Sequence, residues 1–278
     1  MHEPRSLGSD DLVALIAPLT ELVVRAGAAI LGVNRGAMKI EGKIDGSPVT
    51  EADLAADRII GDGLARLIPD IPALSEERAD QFTPAGRGSF FLIDPLDGTK
   101  EFVAGRAEFT VNLALVTNGM PLLGIVAAPA LGCLWRGLAG RGAERLTLES
   151  GARAPIHTRR PAPAHGEPWV AAVSRSHGDA RTEAFIDRRP GAIREKLGSA
   201  LKFGLLAEGK ADIYPRLAPT SEWDIAAGAA VVTAAGGLVT SAGGAPLRFG
   251  QMRDAEHGRY IVPSFIAWGD PAAVMPAY

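Results

Sequence analysis

The sequence predicts a mixed α/β protein, and three observations carry that expectation. The apolar run Phe90–Ile93 ends abruptly in a charged turn, DPLDGTK from Asp94 to Lys100, as a strand covered on both faces does at its carboxyl end. Helix-period apolar residues fill the N-terminal segment, and strand and helix patterns alternate through the second half. With 278 residues, 47% hydrophobic and 22% charged, the chain is long enough for one large domain or two lobes.

Taken in order, the first element follows the acidic start Ser9-Asp10-Asp11. Leu12, Leu15, Ile16, Leu19, Leu22, Val23, Ala26 and Ile30 mark one face of a long amphipathic helix, which Pro18 is expected to bend or delay. After the polar loop GKIDGSP, a second helix opens at Thr50 with Asp53 at capping-box spacing, and it ends at Ile68 before Pro69. Ile71–Leu74 is a short strand followed by the acids Glu76 and Glu77. Phe109–Thr117 and Pro121–Ala128 form a hairpin about Asn118-Gly119. The stretch Ala143–Pro168 has no clear period, so a boundary is placed there between an N-terminal lobe, 1–142, and a C-terminal lobe, 143–278. The second lobe reads as a strand at Trp169–Val173, a helix at Ala180–Asp187, a strand near Ile193, a helix at Ser199–Glu208 and a strand at Ala211–Tyr214. A helix at Ser221–Ala235 and strands near Leu238 and Tyr260 complete it, with Trp135, Trp169 and Trp268 expected in the core.

Several function classes are disfavoured. A net charge of −3 gives no general attraction to nucleic acid. The single cysteine, Cys133, allows neither an intrachain disulfide nor a cysteine-based zinc site, and suits a reducing compartment. The acidic, polar start MHEPRSLGSDD is unlike a signal peptide, so no export is expected and a cytoplasmic location is. Two uncharged runs, Phe109–Trp135 and Ile225–Leu247, are broken by turn residues and are read as strands and a helix rather than membrane spans.

The chemistry concentrates in acids at the edges of apolar elements: Asp53, Glu76, Asp94, Asp97 and Asp224. Each has a bland explanation. Asp53 can simply cap its helix, Asp224 can favour a positive helix end, and Glu76 can be a solvated loop acid. In the DPLDGT turn, Pro95 fixes its own φ and lacks an N–H, so the Leu96 carbonyl is free to face the same point as the Asp94 and Asp97 carboxylates. Three converging oxygens suit a hard cation such as Mg²⁺. Gly98, Thr99 and Lys100 then offer backbone N–H groups to a phosphate at a helix start. An EF-hand loop spaces its acids two apart rather than three, which sets it aside.

The segments VTEAD (Val49–Asp53), LSEE (Leu74–Glu77), DPLDGTKEF (Asp94–Phe102) and SEWDIAAGAA (Ser221–Ala230) resemble the lithium-sensitive, Mg²⁺-dependent phosphatase superfamily of inositol monophosphatases. Within it, DPLDGTKEF, VSRSH (Val173–His177) and Leu197–Asp224 are similar to the 3′(2′),5′-bisphosphate nucleotidases of sulfur assimilation. The resemblance implies a two-lobed α/β sandwich layered αβαβα. It implies that Glu76, Asp94, the Leu96 carbonyl, Asp97 and Asp224 hold two or three Mg²⁺ ions, while Asp53, Glu76 and Thr99 position and deprotonate a nucleophilic water. Gly98, Thr99, His177, Ser199, Lys202, Arg216 and Asp224 would contact the substrate. The implied activity removes the 3′-phosphate of adenosine 3′,5′-bisphosphate to give AMP and phosphate. A phosphatase of inositol or sugar phosphates and an inactive nucleotide-binding protein are the alternatives. The expected partner is thus a small nucleotide, with no nucleic acid and no membrane span, and a homodimer is the assembly this superfamily suggests.

Overall fold

The computed structural model describes residues 7–42, 48–81, 88–160, 167–176, 178–250, 260–275 and 277. His177 and most of the GKIDGSP loop lie outside the described residues.

Helix α1 (Ser9–Gly32) is capped one residue earlier than expected, by Gly8, whose N–H donates to Asp11 Oδ2 at 3.0 Å. Pro18 lies within an uninterrupted helix, with Leu19, Leu22, Val23, Ala26 and Ile30 buried. This helix is long and apolar enough to cross a membrane by length and composition alone, yet that buried stripe packs in the protein core. Strands β1 (Ile40–Gly42) and β2 (Pro48–Thr50) pair antiparallel and lead into α2 (Glu51–Leu67). The capping box is as read: the Thr50 N–H and hydroxyl both donate to Asp53 Oδ2, at 2.8 and 2.6 Å.

Next come β3 (Ala73–Ser75), β4 (Ser89–Asp97) and the short helix α3 (Thr99–Val103). The meander β5 (Thr110–Thr117), β6 (Met120–Ala128), β7 (Cys133–Leu138), β8 (Gly142–Thr147) and β9 (Arg153–Ile156) completes a seven-stranded sheet in the order β3 to β9. Asn118 and Gly119 both take positive φ, 52° and 77°, as a two-residue hairpin turn of type I′ demands. The expected 142/143 boundary is not where one sheet gives way to the next. Gly142 opens β8, whose pairing with β7 and β9 carries the first sheet on to Ile156.

The remaining elements are β10 (Val170–Ser174), α4 (Ala180–Asp187), β11 (Ile193–Leu197), α5 (Leu201–Ala207), β12 (Ile213–Arg216), β13 (Thr220–Ser221), α6 (Ala226–Ala234), β14 (Leu238–Ser241), β15 (Ile261–Val262) and β16 (Phe265–Trp268). Strands β11, β10, β12, β16 and β14 form the second sheet in that order, and β13 pairs with β15. Two helices are shorter than expected. Ser199 takes φ +48°, a left-handed value incompatible with a helix, so α5 starts at Leu201. Before α6, Glu222–Asp224 form a separate 3₁₀ turn.

Alternation along the strands sorts the core into layers. Phe91, Ile93, Leu113, Leu115 and Ile125 face α1 and α2, while Leu92, Ala114, Val116 and Val126 face α5 and α6. In the second sheet Ala172, Tyr214, Phe265 and Ala267 meet α5 and α6 from the other side, and Ala171, Val173, Ile213 and Ile266 pack with Phe185 and Ile186 of α4. The result is the αβαβα sandwich. Trp135 and Trp268 are buried, and Trp169 packs half-buried against the outer cluster.

Helix α6, buried between two sheets, is built from small side chains, Ala, Gly, Val and one Thr, because its backbone approaches β6 directly. A Cβ at Gly124 would lie 2.1 Å from the Ala227 carbonyl oxygen. Gly124→Ala should therefore lower the unfolding free energy by about 1–3 kcal/mol in denaturant titrations. Gly32→Ala, where an added Cβ meets nothing within 4 Å, should stay within about 0.5 kcal/mol of the parent or slightly above it.

Candidate metal centre and its surroundings

Asp94 and Asp97 are three apart in one strand, and in regular pleating they would point to opposite faces. The β4–β5 ladder solves this with an irregularity: Asp94 pairs Asn112 and Asp97 pairs Thr110, so three steps on β4 oppose two on β5. Pro95 sits inside that bulge, where its missing N–H breaks no regular rung. Leu96 N–H turns back to Asp94 Oδ1 at 3.1 Å, and Thr110 Oγ1 and Asn112 Nδ2 reach Asp97 Oδ2 at 3.3 and 3.4 Å.

From across the fold, the 3₁₀ turn before α6 brings in Asp224. Its Oδ2 accepts from the Thr220 hydroxyl and, at 3.3 Å, from the Ser221 N–H. One carboxylate oxygen from each of Asp94, Asp97 and Asp224 then lies within 4.8 Å of the others. Glu76 is outside that three-residue group. It follows Ser75, which pairs Ile93 as the last rung of the parallel ladder, and it opens the 3₁₀ stretch Glu76–Gln81 just beyond that rung.

Asp53 caps its helix as read and also meets Thr99. Oδ2 caps α2, while Oδ1 accepts from Thr99 Oγ1 at 2.9 Å, and Asp53 is almost wholly buried. The Leu96 carbonyl lies 3.1 Å from the same Thr99 hydroxyl. The first N–H groups of α3 follow Gly98, which holds φ +91°; a Cβ there would fall 2.3 Å from Ser199 Oγ. Ser199 Oγ is 2.9 Å from both the Asp97 and Glu108 carbonyls, tying the start of α5 to the acidic turn.

The cationic residues divide. Lys202 is buried, with Nζ donating to the Ser199 carbonyl at 2.5 Å and the Leu197 carbonyl at 3.3 Å. Burial draws its pKa down to about 8, against the opposing pull of Asp97. Arg216 is half-buried at the end of β12: Nη2 reaches the Pro219 carbonyl at 3.4 Å, while Nε is buried with no hydrogen-bond partner among the described residues. Two further contacts had no signal in the sequence. Arg175 makes a bidentate ion pair with Glu108 at 2.9 and 2.7 Å, and Ser176 Oγ donates to Glu101 at 2.7 Å, so the VSRSH segment is fastened to residues that follow the DPLDGT turn.

The donor set fits a hard divalent cation. All its atoms are oxygens, and the carboxylates crowd one another. Burial pushes Asp97 from 3.8 up to about 7, and repulsion from Asp224 adds to it, whereas Lys202 and Asn112 pull the other way. Because this folded pKa is raised, the associated stability of the cation-free protein is complete below about pH 3.8 and lost as pH rises through about 7. A cation supplies what is then missing. Thermal-shift titrations with Mg²⁺ should show about tenfold tighter apparent binding at pH 8 than at pH 6, from proton competition at Asp97. Equal binding at both values would remove Asp97 from the cation site.

The inositol monophosphatase family profile matches residues 11–273. The 3′(2′),5′-bisphosphate nucleotidase CysQ of Escherichia coli O157:H7 is 41% identical over 238 residues, covering 84% of this chain and 94% of that one. Among solved structures, CysQ from Bacteroides thetaiotaomicron, described as a bacterial member of the inositol monophosphatase family, superposes with a TM-score of 0.73 at 33% identity, covering 92% and 97% of the two chains. An inositol monophosphatase from Zymomonas mobilis superposes with a TM-score of 0.72 at 28% identity, covering 98% of each chain.

Proposed function

The chain belongs to the inositol monophosphatase family, whose enzymes are metal-dependent, and from that premise we propose that it is a Mg²⁺-dependent phosphomonoesterase that removes the 3′-phosphate of adenosine 3′,5′-bisphosphate. One observation supports the substrate class: Lys202 lies close enough to Arg216, Asp97 and Asp224 to feel their charges, so a ligand with two anionic groups would meet a pair of cations beside the acidic cluster. The 41% identity to a bisphosphate nucleotidase supports the same choice.

Asp94, Asp97, Asp224, the Leu96 carbonyl and Glu76 are the residues that would hold two or three Mg²⁺ ions. Such ions, when bound, neutralise the transferring phosphoryl group and stabilise both attacking and leaving oxygens of an in-line displacement. The chain's own groups do the rest. Asp53 Oδ1 takes the hydrogen bond of the Thr99 hydroxyl, so as the Thr99 oxygen takes a proton from an attacking water its own proton passes to the Asp53 carboxylate, which is the final base. Glu76 helps to orient that water, and the Gly98 and Thr99 amides stabilise the phosphoryl oxygens. Ser199, Lys202, Arg216 and, from the VSRSH segment, His177 complete the substrate contacts in this reading. Lys202 also places a positive charge near Asp97 and Asp224.

Two experiments test the assignment. Thr99→Ala should lower kcat by about 10²- to 10⁴-fold with little change in KM, since the loss falls on proton transfer. Arg216→Met should lower kcat/KM for adenosine 3′,5′-bisphosphate by roughly 10- to 100-fold, the worth of one charge-assisted contact, and leave hydrolysis of a small monophosphate such as p-nitrophenyl phosphate nearly unchanged. A parent enzyme that prefers inositol 1-phosphate would overturn the nucleotidase reading in favour of its relatives.

A further inference from the structure

Helix α2 carries a second buried acid one turn beyond Asp53. Asp57 points from the same helical face and is about 5% exposed. Its Oδ1 accepts from Ser75 Oγ at 2.6 Å and Arg78 Nη2 at 3.1 Å, and its Oδ2 accepts from Arg78 Nε at 2.8 Å. Ser75 and Arg78 bracket Glu76 and Glu77. One further turn along α2, Gly61 leaves room for the guanidinium, since a Cβ there would come within 2.5 Å of Arg78 Nη2.

The segment this network grips is irregular. Residues Glu76–Gln81 are a 3₁₀ stretch interrupted at Arg78, whose φ of −138° and ψ of 28° are not helical. The hydrogen bonds of a 3₁₀ turn are of poorer geometry than those of an α-helix, and with the break at Arg78 its shape leans on outside contacts. A bidentate arginine–carboxylate pair, one partner buried, is a strong contact of defined direction. The ladder from Ser75 to Ile93 fixes one end of the turn, and Arg78 on Asp57 fixes the other.

We propose that Asp57, acting through Ser75 and Arg78, is a positioning residue that holds Glu76 against the Asp94–Asp97–Asp224 cluster and so sets the cation affinity of the site. In this view α2 serves the centre twice, with Asp53 holding Thr99 and Asp57 holding the Glu76 turn. The inference rests on the reading of Glu76 as a cation ligand.

The test is calorimetric titration of the metal-stripped protein with Mg²⁺ and Mn²⁺, without substrate. Asp57→Asn and Arg78→Met should each weaken cation binding by about tenfold, the usual effect of losing a group that orients a ligand. In a Glu76→Gln background, Asp57→Asn should add nothing, because the residue through which it acts is already neutral. Where Asp57→Asn does not fold, Arg78→Met decides by the same comparison, since the Arg78 side chain is 40% exposed and tolerates replacement. If Glu76→Gln weakens binding while Asp57→Asn and Arg78→Met bind as the parent does, or if the effects of Asp57→Asn and Glu76→Gln simply add, the positioning role is overturned. If Glu76→Gln itself leaves binding unchanged, the ligand reading of Glu76 falls, and this inference falls with it.

Discussion

Carboxylates held this close repel one another, and the fold around them works against that repulsion. Asp94 and Asp97 share a bulge, Asp224 is delivered from the other end of the sequence, and burial raises the cost of keeping Asp97 charged beside Asp224. Left to itself, such a turn would swing its acids apart into water. Here each is fixed by a separate device: the Leu96 N–H on Asp94, Thr110 and Asn112 on Asp97, and the Thr220 hydroxyl on Asp224. The site is thereby prepared for positive charge rather than assembled by it.

Most of the architecture was legible in the sequence because it follows from periodicity and punctuation. The capping box at Thr50 and Asp53, the Asn118-Gly119 hairpin and the buried strand before DPLDGT are all local signals, and each appears as read. The illegible parts are those set by contact with distant chain. Ser199 looks like a helix residue, but bonds to the carbonyls of Asp97 and Glu108 accompany its left-handed backbone. The lobe boundary drawn after Gly142 does not coincide with the change of sheet, because Ala143–Ile156 has weak alternation and its strands are fixed by pairing, β8 with β7 and β9 with β8.

The acids were legible as candidates, and the spacing of Asp94 and Asp97 suggested convergence. What could not be read was the means: residues three apart converge only through a bulge, and register is a property of two strands. Lys202 and Arg216 look alike in sequence, as isolated cations in an apolar setting. Tertiary structure separates them: Lys202 spends its hydrogen bonds on the Leu197 and Ser199 carbonyls, while Arg216 reaches the Pro219 carbonyl and has an Nε with no hydrogen-bond partner among the described residues. Likewise nothing local tied Asp57 to Arg78, whose pairing depends on the space left by Gly61.

The direct seating of α6 on β6 bears on how the spacing of the acidic cluster can drift. Elsewhere in the core, exchange of one apolar side chain for another shifts the spacing between layers by fractions of an ångström, because side chains are the spacers. Between Gly124 and Ala227 there is no such spacer, and the separation is backbone against backbone. Asp224 rides immediately before that helix, while the sheet beneath it carries Asp94 and Asp97. The reach across the acidic cluster is therefore gauged by a backbone-to-backbone van der Waals contact, and side-chain exchanges in the hydrophobic layers that leave Gly124 in place do not reset it.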